Sequence, residues 1–383
     1  MDKKILLIGE YYSSNLGDGI ICQSVEYLIK KWNPSLEISI SDLSGKVGFD
    51  EKDISSPYPN KDNTITFPKK LVKKILKKSV YLQERYRFFL GGGKEKINNL
   101  CDDNFDCAVF AGGQMFLDYF SIPINEHVKQ LDRMDVPVIF NSCGMGHIKS
   151  KQLIYKFRRT LGYKNVVSIS VRDDVDSVNN VIIKKGHKKA IKSYDPGLWS
   201  GEVYNVKRKE SETIGLGVMS IDAFKDKNII SQYRKIILEL NKKKIAWKLF
   251  CNGNINDYNL AISIAESLGY DKSAIANRPE TPKELVELIS KFKGIISFRL
   301  HSHIVAVALN IPSIALSWDN KLNHFFDSIN RKDRCLNINA EHKEIIDKYF
   351  FAEKEGYDLE LIHSQKIYAK NLLIDNICIA LSK

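Results

Sequence analysis

The residues best able to do chemistry lie in one stretch, GIISFRLHSHIVAVALNIPSIALSWDNKLNHFF, which begins at Gly294. Arg299 and His301 follow a short β-branched run, and Lys321 follows a second run introduced by Pro312. Cations leaving the carboxyl ends of neighbouring strands can hold a multiply charged anion, and an imidazole among them can also carry a proton. If the strand stays extended that far, the two-residue spacing puts Arg299 and His301 on one face. Ser302 is placed to cap the helix that follows, and His303 on that helix reads as a core residue beside Val305, Ala306 and Leu309. A second arginine, Arg172 in SISVRDD, likewise follows an apolar run. Its guanidinium suits a bidentate hold on a carboxylate or phosphate; an ion pair with Asp173 or Asp174 is the structural alternative.

Glycines mark the other places where backbone can approach a ligand. Asn15, Gly17 and Asp18 in SSNLGDG form a turn, with a helix opening at Asp18 or Gly19. Amides there can receive an anion or a sugar hydroxyl, or the turn is a plain helix cap. Gly112 and Gly113 close the run AVFAGG, and Gly144 and Gly146 lie in NSCGMGH. Neither GxGxxG nor a P-loop occurs, so a dinucleotide or P-loop nucleotide site has little support. The pair His301 and His303 lacks HExxH or a Cys/His cluster, so no catalytic metal is expected. Cys143 lies outside any GxSxG elbow, which weighs against a nucleophilic role.

Elements must hold these residues in place. Short β-branched runs alternate with amphipathic stretches, the pattern of βαβ units and parallel sheets. Strands are expected at 5–9, 36–40, 107–110, 137–141, 166–171, 214–219, 246–251, 294–298, 313–317 and 335–338, with helices at 19–32, 125–134 and 174–185 in the first half. A chain of 383 residues suits two domains. The polar stretch SGEVYNVKRKESET reads as the linker, giving domains 1–200 and 201–383, with the last helix packing back on the first. Two open parallel sheets would then face a central cleft outside the carboxyl ends of their strands. The first domain is expected on the acceptor side and the second on the donor side.

A formal net charge of +12 points to anionic partners, although an AT-rich coding bias would also raise lysine. Seven scattered cysteines without a CxxC pair suit a reducing cytoplasm. No leader or long apolar run is evident, so any membrane contact is expected at the inner surface of the plasma membrane. A candidate for that contact is the segment Lys69–Lys78 in PKKLVKKILKKSVYL, where Lys70, Lys73, Lys74, Lys77 and Lys78 line one side and Leu71, Val72, Ile75, Leu76 and Val80 the other. An ordinary surface helix fits the same pattern. No RRM, KH or zinc-finger pattern accompanies the lysines, so nucleic acid is not an expected partner.

The ordered series NxGD, AGG, a glycine-containing strand end, SVRD, the pair Asp195–Pro196 and SFRLHSHIVAVALNIPSIALSWDNK resembles the polysaccharide pyruvyltransferase family over roughly residues 5 to 330. The resemblance implies a GT-B-like pair of Rossmann-type domains. It implies transfer of pyruvate from phosphoenolpyruvate to two hydroxyls of a sugar on a cell-surface polysaccharide or its lipid-linked precursor, with phosphoenolpyruvate as donor substrate and no separate cofactor. Arg172, His301 and Lys321 match donor-contacting positions, and Arg299 is the motif's other cation. No residue matches a base for the sugar hydroxyl; Asp18 is the candidate. The competing expectations are a glycosyltransferase of the same fold that uses a nucleotide sugar and a non-catalytic scaffold at the membrane surface.

Overall fold

The computed structural model describes residues 3–49, 79–90, 93, 97, 100, 103–221, 223–317 and 319–382. The chain divides into two units. Unit 1 comprises Met1–Tyr12, Ile21–Pro196 and Ile367–Lys383; unit 2 comprises Ser13–Ile20 and Gly197–Lys366. The stretch read as a linker begins with a short helix, Ser200–Tyr204.

Unit 1 is built on strands β1 (Lys4–Gly9), β2 (Glu37–Asp42), β3 (Cys107–Phe110), β4 (Gly113–Phe116), β5 (Val138–Met145), β6 (Val166–Val171) and β7 (Ile191–Lys192). They lie in the order β2-β1-β3-β5-β6-β7, with β4 beside β5, and every pairing is parallel. Every residue of β3 and β6 is buried. Helices cover both faces of such a sheet, which is why these strands read as unbroken apolar runs instead of alternating ones. Phe110 stacks on Phe140 with ring centroids 4.4 Å apart, and Phe116 and Phe157 extend the same core.

Unit 2 repeats the design with β8 (Ile214–Gly217), β9 (Trp247–Phe250), β10 (Gly294–Ser297), β11 (Ser313–Ser317) and β12 (Cys335–Asn337). The order is β12-β11-β10-β8-β9, again all parallel. Strand order reverses at β8, whose neighbours are β9 on one side and β10 on the other. In open parallel sheets such a switch point, at the carboxyl ends of the strands, is where ligands bind. In unit 1 the corresponding point lies between β1 and β3, and Gly112 follows β3 there. The architecture is α/β with two parallel-sheet Rossmann-type units, the GT-B-like class expected from the sequence.

Element ends differ from expectation where local chemistry overrides periodicity. The first helix runs Leu16–Trp32, starting before Asp18, because Asn15 and Asp18 satisfy each other across its first turn. The helix expected at 174–185 is instead a turn, Val175–Ser177, running into a π-type turn, Val178–Ile182. The lysine-rich run from Lys69 to Lys78 lies outside the described residues; after it a helix, Val80–Leu90, carries Phe88 into a small cluster with Ile97 and Ile122. Among the described residues no helix is long and apolar enough to cross a membrane.

A histidine lies in the core of each unit. His127 in unit 1 contacts the Pro123 carbonyl through Nδ1 at 2.8 Å and Ser41 Oγ through Nε2 at 3.0 Å. His303 in unit 2 donates from Nε2 to the Ser297 carbonyl at 3.0 Å and meets the Phe326 ring edge-on. Burial pushes both imidazoles down to about 4, against a carbonyl contact that acts the other way. In the unfolded chain each takes up a proton below about pH 6.5, so folding stability is lost as pH falls from about 6.5 to about 4. Melting temperatures across this window are expected to fall, and to fall less steeply in His127→Gln and His303→Gln whatever the variants' stability at pH 7. An unchanged slope in both would contradict the neutral, buried state.

Candidate functional site

In unit 2 the candidate residues collect at the carboxyl side of the switch point. Strand β10 ends at Ser297, and Arg299 is the extended residue (φ −92°, ψ 121°) that precedes the helix Leu300–Ala308. His301 therefore sits in the first turn of a helix, not on an extended strand, and the one-face expectation for Arg299 and His301 does not hold. Ser302 is likewise not the cap. Its Oγ donates to Asn252 Oδ1 at 2.8 Å, while Arg299 occupies the cap position.

Arg299 is clamped by an acid that the sequence reading missed. Nε and Nη2 donate to the two carboxylate oxygens of Asp257, each at 2.8 Å, in the fork geometry that makes Arg–carboxylate pairs strong. Asp257 is 1% exposed, lies in the first turn of the helix Ile255–Glu266, and also accepts the Ser220 amide at 2.9 Å. Burial raises its carboxyl pKa, and the Arg299 charge opposes that rise. A buried pair of this kind is stabilising only while both members remain, since removing one strands a charge. With one edge taken by Asp257, the guanidinium keeps a fixed orientation.

His301 is 7% exposed and packs on Gly17: a methyl group added at Gly17 would lie only 2.2–2.4 Å from its Nδ1, Cγ and Cβ. This contact explains the glycine in NLGD. Around it, Asn15 Nδ2 donates to Asp18 Oδ2 at 2.8 Å and the Asp18 amide to the Asn15 carbonyl at 3.0 Å. The Leu16 amide donates to the Asn252 carbonyl at 3.0 Å. Asn252 thus ties residues 15–18 to the helix of His301, through its carbonyl on one side and its side-chain oxygen on the other. Its signal in the sequence was the polar CNGN directly after β9, the same strand-end rule that picked out the glycines.

Lys321 follows the neighbouring strand. It lies in the helix Asn320–Ser328, whose cap is Asp319; Asp319 accepts the Lys321 amide at 3.2 Å and pairs with its Nζ at 3.2 Å. Strands β10 and β11 are adjacent, with Ser297 opposite Ala315.

In unit 1 a second group assembles. Gly112 (φ +117°) turns the chain beside the carbonyls of Asn141 and Ser142, and Gly113 pairs with Cys143. Gly144 lets the Asp173 carboxylate approach to 2.6 Å from where its Cβ would be, with Arg172 Nε at 3.4 Å. Arg172 follows β6 and forms an ion pair with Asp195, while Asp173 accepts the Met145 amide and Asp174 caps the next turn. Both partners are almost wholly buried. Cys143 is fully buried within β5, and burial raises its thiol pKa far beyond a reactive range.

The Gly17 contact has a measurable consequence. Gly17→Ala is expected to cost about 1–3 kcal/mol through overpacking. The same change in a His301→Gly background should cost much less, because the clash is with the His301 side chain from its Cβ outward. Equal losses in both backgrounds, read from denaturant unfolding, would contradict the packing.

The residues just described coincide with a recognised sequence family. The family model described as polysaccharide pyruvyl transferase matches residues 15–320, which include Asn15, Arg172, Arg299 and His301, with Lys321 immediately after. No curated protein matches the full sequence significantly. Solved structures of similar fold include the UDP-GlcNAc 2-epimerase of Methanocaldococcus jannaschii (11% identity, TM-score 0.57, covering 97% of this chain and 98% of that one). The UDP-GlcNAc 2-epimerase of Neisseria meningitidis bound to UDP-GlcNAc is another (12%, 0.53, 99% and 100%), as is the S. aureus MnaA–UDP co-structure (11%, 0.56, 99% and 97%). At such identities the likeness is one of fold. The family match, spanning most of the chain and including Arg172, Arg299 and His301, carries more: this chain belongs to the polysaccharide pyruvyl transferase family and is a transferase enzyme.

Proposed function

We propose that the enzyme transfers pyruvate from phosphoenolpyruvate to two hydroxyls of a saccharide, forming a cyclic ketal and releasing phosphate. The supporting observation is that the family match coincides with a buried His301 held on Gly17, two residues beyond an Arg299 locked by Asp257, at the carboxyl side of the unit 2 switch point.

The donor carries a carboxylate and a phosphate, and fixed cations stabilise both in a site of low dielectric. Arg299 and Lys321 are assigned to these charges, with Arg172 assigned a further donor contact on the family pattern. In the reaction the methylene carbon of the donor gains a proton, which makes its neighbouring carbon electrophilic. One sugar hydroxyl bonds there, the carbon–oxygen bond to phosphate breaks with its electron pair leaving on phosphate, and the second hydroxyl closes the ketal. The two hydroxyl protons end on the new methyl group and on phosphate, so the equation balances. His301 is the proton carrier in this scheme, giving a proton to the methylene carbon or to the departing phosphate. Asp18 is the proposed acceptor of a hydroxyl proton, held in place by Asn15. The saccharide belongs to a cell-surface polysaccharide or its lipid-linked precursor, and association with the inner membrane surface through the lysine-rich segment remains part of the proposal.

Phosphoenolpyruvate at 100 times its dissociation constant should raise stability by about 2.7 kcal/mol, and UDP-GlcNAc should not. Phosphate release from phosphoenolpyruvate should require an acceptor saccharide and fall by about 10²–10⁴-fold in His301→Ala. Loss on the same scale is expected in Arg172→Ala. Near-normal turnover by both variants would overturn the site assignment, and stabilisation by UDP-GlcNAc alone would favour a nucleotide-sugar donor.

A further inference from the structure

Unit 2 holds a cavity of about 490 Å³ at the carboxyl ends of β11 and β12, next to the turn that leads to Lys321. Side-chain amides are the commonest polar groups in its described lining. Asn228 comes from the helix Ala223–Lys242, Asn320 from the helix after β11, and Asn337 and Asn339 from the end of β12 and just beyond. Among the described residues, the amide groups of Asn228, Asn320 and Asn339 make no hydrogen bond to protein, and Asn337 uses only its oxygen, for the Asn339 amide at 2.9 Å. Each free carboxamide offers two donors and an acceptor at fixed angles, which matches adjacent hydroxyls that both give and accept hydrogen bonds.

Charge selects further. Among the described residues, the lining has one lysine, Lys225, and one carboxylate, Asp319. Asp319 caps the helix Asn320–Ser328 with its own charge, so the positive end of that helix is already satisfied and offers little to a phosphate. A neutral, hydroxyl-rich ligand fits, and an anion does not. The volume is within the range of small-ligand sites.

We propose that this cavity is a saccharide subsite that takes a neutral pyranose of the acceptor. Asp319 both lines the cavity and pairs with Lys321 at 3.2 Å, so the subsite and the assigned donor cation share one carboxylate. The assignment of the ligand as acceptor rests on the proposed pyruvyl transfer, whereas sugar binding to the cavity does not.

The test uses the full chain and methyl glycosides of glucose, galactose, mannose and N-acetylglucosamine at millimolar concentration, observed by saturation-transfer NMR. At least one glycoside is expected to bind, and Asn228→Ala/Asn339→Ala, both exposed positions, should weaken it by about tenfold or more, the equivalent of one or two hydrogen bonds. Stabilisation by phosphoenolpyruvate should persist in that variant, which separates the two proposals: loss of glycoside binding with no donor effect in the wild type would leave the subsite standing and remove the donor. Binding of no glycoside, equal binding by the variant, or displacement of bound glycoside by inorganic phosphate would overturn the subsite.

Discussion

Much of unit 2 follows from the ion pair between Arg299 and Asp257. A carboxylate with 1% exposure is costly to ionise, and its raised pKa records that cost. The bidentate guanidinium and the Ser220 amide offset it. Because both nitrogens on one edge of Arg299 are used, the residue's position at the end of β10 is set, and with it the start of the helix Leu300–Ala308. That start decides where His301 lies, and a position in the first helical turn brings the ring onto Gly17. Gly17 in turn is held by Leu16, whose amide is bound to the Asn252 carbonyl.

The same device recurs. Arg172 is paired with a buried Asp195, and Lys321 with Asp319. Isolated cations buried for an anionic ligand would repel one another and resist burial before the ligand arrives. A dedicated carboxylate for each removes that penalty and orients the group, while the charge remains available to polarise what binds beside it. For a donor carrying a carboxylate and a phosphate, such pre-set cations reduce the ordering needed on binding.

The fold was legible because parallel strands covered on both faces leave unmistakable apolar runs: Ser313–Ser317 and Cys107–Phe110 agree with expectation to the residue. Two strands escaped notice. Gly113–Phe116 contains a glycine and a glutamine and follows β3 by two residues, and Ile191–Lys192 is too short for any period to show. The cationic members of the site were readable as strand-end residues, but their acids were not. Asp257 is 42 residues from Arg299 in an ordinary helix start, and Asp195 is 23 residues from Arg172. Only the third dimension pairs them. For Arg172 the sequence offered Asp173 and Asp174 as the structural alternative to a ligand, and both acids also accept backbone amides. Ser302 had the composition of a cap, but the helix begins two residues earlier because Arg299 is pinned.

The central claim is that a buried acid orients a cation for the donor, and a double-mutant cycle between Arg299 and Asp257 on phosphoenolpyruvate affinity addresses it most directly. Calorimetric titration of the wild type, Arg299→Ala, Asp257→Asn and the double variant should show that Asp257→Asn weakens donor binding although it removes a negative charge, and that the double variant binds no worse than Arg299→Ala. Donor affinity that is unchanged or improved in folded Asp257→Asn would contradict the account.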